Sequence, residues 1–210
     1  MENALLRIED FTVQRNYQPV FEPYGFTLSA GESLYLKGAN GAGKTTSLRV
    51  LAGISQQYRG KIFLNAIERR ELLHHYPRSI IYVGHALSLN YDLSARENLA
   101  SILAIRGQTL SEKECNEVFE TLNIPQHDRP IRYLSAGQKR RVALSRLWFE
   151  ERPIWILDEP FTALDVGSIE LLEAKMAAHI ETGGMIIFTS HQAPSDCVFT
   201  KTLTVEAKTR

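Results

Sequence analysis

Gly38-Ala39-Asn40-Gly41-Ala42-Gly43-Lys44-Thr45-Thr46 decides how the rest of this chain is read. Two glycines with four residues between them, followed by Lys and a hydroxyl residue, form the pattern of a loop that wraps phosphates. Glycine admits backbone angles that a Cβ forbids, so successive N–H groups can curl around a polyphosphate. Lys44 brings a point charge to the β- and γ-phosphates, and the Thr45 hydroxyl can complete a Mg²⁺ shell. Residues 33–36 before the loop read as a buried strand, and residues 47–52 after it as a helix. The positive end of that helix would face the anion. Strand, loop and helix in this order predict a nucleoside-triphosphate site.

The 210 residues suffice for one sizeable core, and 44% apolar with 23% charged residues is ordinary for a soluble globular chain. Lys+Arg and Asp+Glu both total 24, so no net charge recommends nucleic acid or an anionic membrane as partner. Cys115 and Cys197 form no metal or redox spacing and read as free thiols in a reducing compartment. Glu2, Arg7, Glu9 and Asp10 interrupt the N-terminal stretch, which does not read as a signal peptide. The strongest apolar runs, Ile154–Leu157 and Met185–Phe188, fall far below the roughly 18 residues of a spanning helix. The expectation is a cytoplasmic chain with no direct membrane insertion, which reaches a membrane only through a partner.

Residues 5–13, 26–28, 33–37 and 61–64 read as strands, as do 79–83, 154–157 and 185–189. The later ones are short and continuously apolar, as in a parallel sheet covered on both faces. Between residues 87 and 153 the character changes to helix. Ser94-x-x-Glu97 and Ser111-x-x-Glu114 are capping boxes; Ser135-x-x-Gln138 is a third, opening a helix to about residue 150. A further helix over 166–182 is closed by Gly183-Gly184. The predicted fold class is α/β, a single domain over 1–210. Its phosphate-loop core covers about 1–86 and 154–210, with an N-terminal antiparallel β edge and an inserted helical subdomain at about 87–153.

The apolar strand at 154–157 runs into Asp158-Glu159. At a strand end beside a phosphate loop, Asp158 can hold Mg²⁺. Glu159 faces another way and can polarise an attacking water as general base. Alone, such an ending is as often a solvated turn; the upstream loop favours chemistry. Leu134-Ser135-Ala136-Gly137-Gln138, followed by Lys139-Arg140-Arg141, is the second decisive run. Ser135 can cap its own helix, and a helix start of that kind is also an anion site.

Together the phosphate loop, this second run and Asp158-Glu159 resemble the ATP-binding-cassette (ABC) ATPases, over about residues 6–192. The resemblance implies bound ATP and Mg²⁺, with Gly38, Ala39, Asn40, Gly41, Ala42, Gly43, Lys44, Thr45 and Thr46 around the phosphates. It implies a head-to-tail dimer with a second copy, in which Ser135, Ala136, Gly137 and Gln138 reach the γ-phosphate held by the other subunit. Asp165, in Ala163-Leu164-Asp165, would join the two sites, and His191, in Thr189-Ser190-His191, would reach the γ-phosphate. Integral membrane permease subunits are the implied partners, on the cytoplasmic face of the inner membrane. Tyr82-Val83-Gly84-His85, the run from Leu134 to Trp148, the run from Trp155 to Asp165 and Ser190-His191-Gln192 are similar to the cytochrome c biogenesis ATP-binding subunits. That narrower likeness implies a task in haem export for c-type cytochromes. The alternatives are an ATPase for a lipid, drug or ion transporter, or a soluble cassette ATPase acting on DNA or ribosomes. The last brings coiled-coil arms or paired cassettes, and this chain has neither, nor a basic footprint.

Three positions depart from the family pattern. Ala136 stands where the common form has a second glycine. His85, followed by Ala86, stands where cassette ATPases usually carry a glutamine that touches Mg²⁺ or the attacking water. A neutral imidazole offers one donor and one acceptor and titrates near neutrality, so His85 is expected to act there with a pH sensitivity that Gln lacks. Where an aromatic residue commonly stacks on adenine, the register places Arg15, with Tyr17 two residues on. A guanidinium can also stack, but an exposed arginine at a strand end is the plainer reading, and weak discrimination between ATP and GTP would be no surprise. His74-His75 reads as a solvated helix end, not as a metal site.

Overall fold

A computed structural model describes residues 5–15, 18–72, 75–109, 111–125, 127–191, 195 and 199–208. Tyr17, His74, Gln192 and Cys197 lie outside the described residues, as does the side chain of Arg15. The strands are β1 (Leu5–Arg15), β2 (Gln18–Pro19), β3 (Tyr24–Ser29), β4 (Ser33–Lys37), β5 (Tyr58–Leu64), β6 (Ile67–Glu68), β7 (Ile80–Val83), β8 (Ile154–Leu157), β9 (Met185–Phe188) and β10 (Lys201–Thr204). The α-helices are α1 (Lys44–Leu51), α2 (Arg69–Leu72), α3 (His75–Arg78), α4 (Ala95–Ile105), α5 (Glu112–Thr121), α6 (Ala136–Ser145) and α7 (Val166–Glu181).

Two sheets form. The first is antiparallel, in the order β2-β1-β5-β6, with β3 also on β1. The second runs β10-β4-β9-β8-β7, with every pairing parallel. All residues of β8 and β9 are buried, and so are the first four of β4, which is why these runs are continuously apolar rather than alternating. The edge strand β10, Lys-Thr-Leu-Thr, alternates half-buried and exposed positions. Its polarity hides it from an apolar-run search. It is fastened to β4 by reciprocal bonds, Ser33 N–H to Thr200 Oγ1 and Thr200 N–H to Ser33 Oγ.

Contacts group the chain into two compact units, Met1–His85 with Arg152–Glu159 and Glu173–Arg210, and Ala86–Glu151 with Pro160–Leu172. In the first, one core takes Leu6, Ile8 and Phe11 of β1, Leu34 and Leu36 of β4, Leu48 and Leu51 of α1, Ile154 and Ile156 of β8, and Met185 and Ile187 of β9. Residues from both sheets and α1 therefore shed water together, and the phosphate loop hangs from a rigid β4–α1 frame. In the second, Leu99 and Leu103 of α4, Cys115 and Phe119 of α5, and Val142 of α6 form a separate core, against which Leu171 packs.

All three capping boxes form, with Ser94, Ser111 and Ser135 each accepting from the backbone three residues on and the Glu or Gln side chain returning the bond. The helix α7 closes with Gly184 N–H on His179 O and Gly183 N–H on Ile180 O, the paired bonds of a Schellman motif. The helix expected to reach residue 150 stops as an α-helix at Ser145 and tightens into a 3₁₀ turn over Arg146–Trp148. There the Ser145 hydroxyl donates to Val142 O, and a side chain that bonds its own turn competes with regular helix. Among the described residues, no helix is long and apolar enough to cross a membrane.

Candidate active site

The loop before α1 is shaped for anions. Gly43 precedes the helix at φ 99°, and a Cβ there would lie 2.7 Å from the Phe21 ring. No side chain caps α1, so its first amides are left for a ligand. Lys44 folds back over the loop, with Nζ donating to Gly38 O at 2.7 Å and Ala39 O at 3.1 Å. These carbonyls hold the ammonium near the loop's concave side. A cavity of about 710 Å³ opens here, lined by Asn40, Gly41, Gly43, Lys44, Thr45 and Thr46. Ala42 is turned inward and buried.

His85, Glu159 and His191 line the same cavity, so the first unit brings together Lys44, Thr45 and these three from four separate stretches of chain. Strand order explains the convergence: β7, β8, β9 and β4 are parallel neighbours, and their C-terminal ends fall on one edge. Val13, Gln14, Val20, Ser55 and Gln57 complete the lining.

Asp158 and Glu159 are both buried and point differently. Asp158 N–H continues the ladder to Val83 O, and its Oδ1 accepts the Thr189 hydroxyl at 2.8 Å. Asp158 Oδ2 is buried and finds no hydrogen-bond partner among the described residues. A buried carboxylate oxygen left so is costly unless something cationic or protic meets it. Glu159 breaks from the strand at φ 53°, a left-handed conformation costing on the order of 1–3 kcal/mol in a non-glycine residue. Two contacts hold it: Glu159 N–H donates to Thr189 Oγ1 at 3.0 Å, and Glu159 Oε2 accepts His191 N–H at 2.8 Å. The His191 ring also lies near, with Nε2 3.5 Å from Glu159 Oε1.

Two tyrosines stand behind the acids. Tyr35 donates its hydroxyl to Ser190 O at 3.0 Å and stacks on Phe188, ring centroids 5.2 Å apart. Burial, and then the Glu159 charge, push its pKa up, which keeps the phenol a donor. Tyr82 is pushed up to about 12 by burial and then by the Asp158 charge, against the opposing pull of Arg49.

The residues present suit Mg²⁺. No group of three or more His, Cys, Asp or Glu gathers among the described residues. Mg²⁺ needs none, because it is held by one or two protein oxygens together with phosphate oxygens and water. Asp158 Oδ2 and the Thr45 hydroxyl are the donors such a site would draw on.

In the second unit, Ser135 caps α6, its Oγ accepting from Gln138 N–H while Gln138 Oε1 accepts from Ser135 N–H. Ala136 is exposed, so the methyl group at this departure from the family pattern faces no obstacle. Gly137 is different: a Cβ there would lie 2.5 Å from Ala163 O. Asp165 sits at the start of α7, where Oδ1 accepts Ser168 N–H and Oδ2 accepts Arg141 Nη1. Bonds from Ser168, with Arg141 alongside, hold its carboxyl below the usual range. Arg141 Nη1 also reaches Ser168 Oγ at 3.0 Å.

Thr189 and Arg141 fall inside runs legible in the sequence but receive no role of their own there, and no pattern marks Tyr35. Thr189 carries one faint signal, a hydroxyl closing an otherwise apolar strand. The partners of the other two lie 155 and 24 residues away, beyond any local pattern.

An ABC transporter family profile matches residues 21–162. The cytochrome c biogenesis ATP-binding export protein CcmA of Methylococcus capsulatus is 41% identical over 194 residues, covering 92% of this chain and 94% of that protein. CcmA of Vibrio cholerae is 37% identical over 189 residues, covering 90% and 91%. Among solved structures, an ABC transporter ATP-binding protein from Pyrococcus furiosus superposes with TM-score 0.82 at 22% identity, over 97% of this chain and all of that one. The cassette MJ0796, described as a dimer in a post-hydrolysis state bound to ADP and phosphate, gives TM-score 0.79 at 20% identity, over 96% and 94%.

Proposed function

This chain belongs to the ABC transporter family, and from that premise we propose that it is the ATP-hydrolysing subunit of a transporter serving haem export in c-type cytochrome biogenesis. The observation that carries the chemistry is the divergence of Asp158 and Glu159: one buried oxygen lacks a partner among the described residues, while the next carboxylate enters the phosphate-loop cavity bound to His191 N–H. The specific task rests on 37–41% identity to cytochrome c biogenesis ATP-binding export proteins over about nine-tenths of the chain.

In this proposal the amides of residues 38–46 and Lys44 neutralise phosphate charge, Lys44 exchanging its loop carbonyls for phosphate oxygens. Asp158 and Thr45 would hold Mg²⁺, which when bound would neutralise phosphate charge. Glu159 accepts a proton from the attacking water. His191 donates to the transferring group, and its backbone N–H keeps Glu159 turned inward. His85 takes the place of the usual glutamine at the cavity edge. Residues 135–138 of a second copy complete the far side of each triphosphate, and Asp165 joins the two sites. The chain meets the membrane peripherally, on its cytoplasmic face, through integral permease subunits.

Two measurements test this. Specific ATPase activity of the purified chain should rise with protein concentration, since an isolated copy lacks half of each site; activity that stays flat on dilution of a monodisperse monomer refutes the shared site. Affinity capture from detergent-solubilised membranes should recover integral permease subunits together with c-type cytochrome assembly factors. Recovery of a lipid, drug or ion permease instead would reassign the cargo.

A further inference from the structure

We infer that Thr189 is a positioning residue for hydrolysis, resting on the ATPase reading above, whose single hydroxyl assigns the two adjacent acids to different tasks. A threonine hydroxyl has one proton to give and lone pairs to accept with. Here the proton goes to Asp158 Oδ1 at 2.8 Å, and a lone pair receives Glu159 N–H at 3.0 Å. Thr189 is fully buried, so water cannot substitute in either bond, and its own N–H is engaged by Leu157 O.

Each bond has a separate consequence. On the Asp158 side, occupying Oδ1 sets the carboxylate rotamer and leaves Oδ2 as the oxygen without a partner among the described residues. On the Glu159 side, the acceptor satisfies the amide of a residue at φ 53°. Without it that buried N–H would be stranded, and the turn carrying the carboxylate to His191 would lose its support. The strand itself does not need a hydroxyl at this point, because the four residues before it, Met185–Phe188, are apolar and fully buried. A valine has nearly the same shape and can make neither bond.

The test uses the full chain with Thr189→Val, Thr189→Ala and Thr189→Ser. Three readouts are compared: affinity for a fluorescent ATP analogue in EDTA, Mn²⁺ affinity by electron paramagnetic resonance with a non-hydrolysable ATP analogue, and kcat with its Mg²⁺ dependence. Thr189→Val and Thr189→Ala should both fold and bind nucleotide without metal to within about threefold of the parent, yet lose about 10–100-fold in Mn²⁺ affinity and in kcat. Thr189→Ser should restore both to within about threefold, since it keeps the hydroxyl. Thr189→Val with parental Mn²⁺ affinity and kcat overturns the inference, and so does failure of Thr189→Ser to rescue. Loss of folding in Thr189→Val or Thr189→Ala also counts against it, because the role is then structural. If the parent chain binds ATP but never hydrolyses it, the ATPase reading fails instead, and the Mn²⁺ comparison still judges Thr189.

Discussion

Replacing Gly137 by Ala should damage this protein far more than replacing Ala136 by Gly, although the two sit side by side in one motif. A Cβ built on Gly137 falls 2.5 Å from Ala163 O and 3.7 Å from Ala163 C, where ordinary contact begins near 3.4 Å. The carbonyl is backbone, so it cannot swing aside as a side-chain tip would. The segment carrying Ala163 and Asp165 must retreat by about 0.9 Å, or α6 must shift, and overpacking of this kind typically costs about 1–3 kcal/mol. If the full cost falls on the catalytically competent arrangement, turnover drops about 5–150-fold. Ala136 points to solvent, and its loss should change turnover by less than about threefold, with at most about 1 kcal/mol of helix propensity forgone. Steady-state ATPase activity of both variants, alongside thermal melts, gives the comparison. Parental turnover in Gly137→Ala, or equal loss in both, would show that the approach of Ala163 does not limit this motif.

Glu159→Gln should lower kcat by about 10²–10⁴ while nucleotide affinity holds, because the amide oxygen can still accept His191 N–H but cannot take a proton. Retained turnover removes Glu159 as the base. His179 tests the core rather than the site. It stacks on Trp155 at 3.8 Å, its Nε2 is buried without a hydrogen-bond partner among the described residues, and burial pushes its pKa down to about 4. The folded state then binds fewer protons than the unfolded one, where the value is about 6.5, so its contribution is intact above that pH and is lost as pH falls toward 4. Discounted for the partly exposed ring, this should amount to about 1–2 kcal/mol near pH 4.5. Urea unfolding of His179→Phe should show a shallower loss over that range, and an identical slope would clear His179.

Much of the scaffold is legible locally. The phosphate loop depends on residues adjacent in sequence, and so do the three capping boxes, since a cap bonds its own first turn. The buried strands show themselves because a β8 or β9 residue meets apolar matter on both faces. Where polarity is mixed, pattern fails: β10 exists because β4 has an open edge, not because Lys-Thr-Leu-Thr favours a strand. The 3₁₀ turn after α6 is likewise invisible to apolar periodicity, being set by a side-chain hydrogen bond.

By itself, then, the chain's order of residues determined the loop, the helix starts, the parallel-sheet character and which acids stand at the end of β8. Those depend on short-range sterics, hydrogen bonds and apolar periodicity. Only the tertiary structure decided that Thr189 would bond both acids, that Tyr35 would hold Ser190, that residues 160–172 would join the helical unit through Arg141 and Ala163, and that Gly137 tolerates no side chain while Ala136 does. Each of these depends on atoms from distant stretches meeting within about 3 Å, and a hydrogen bond of that length is specified by packing in three dimensions rather than by any spacing along the chain.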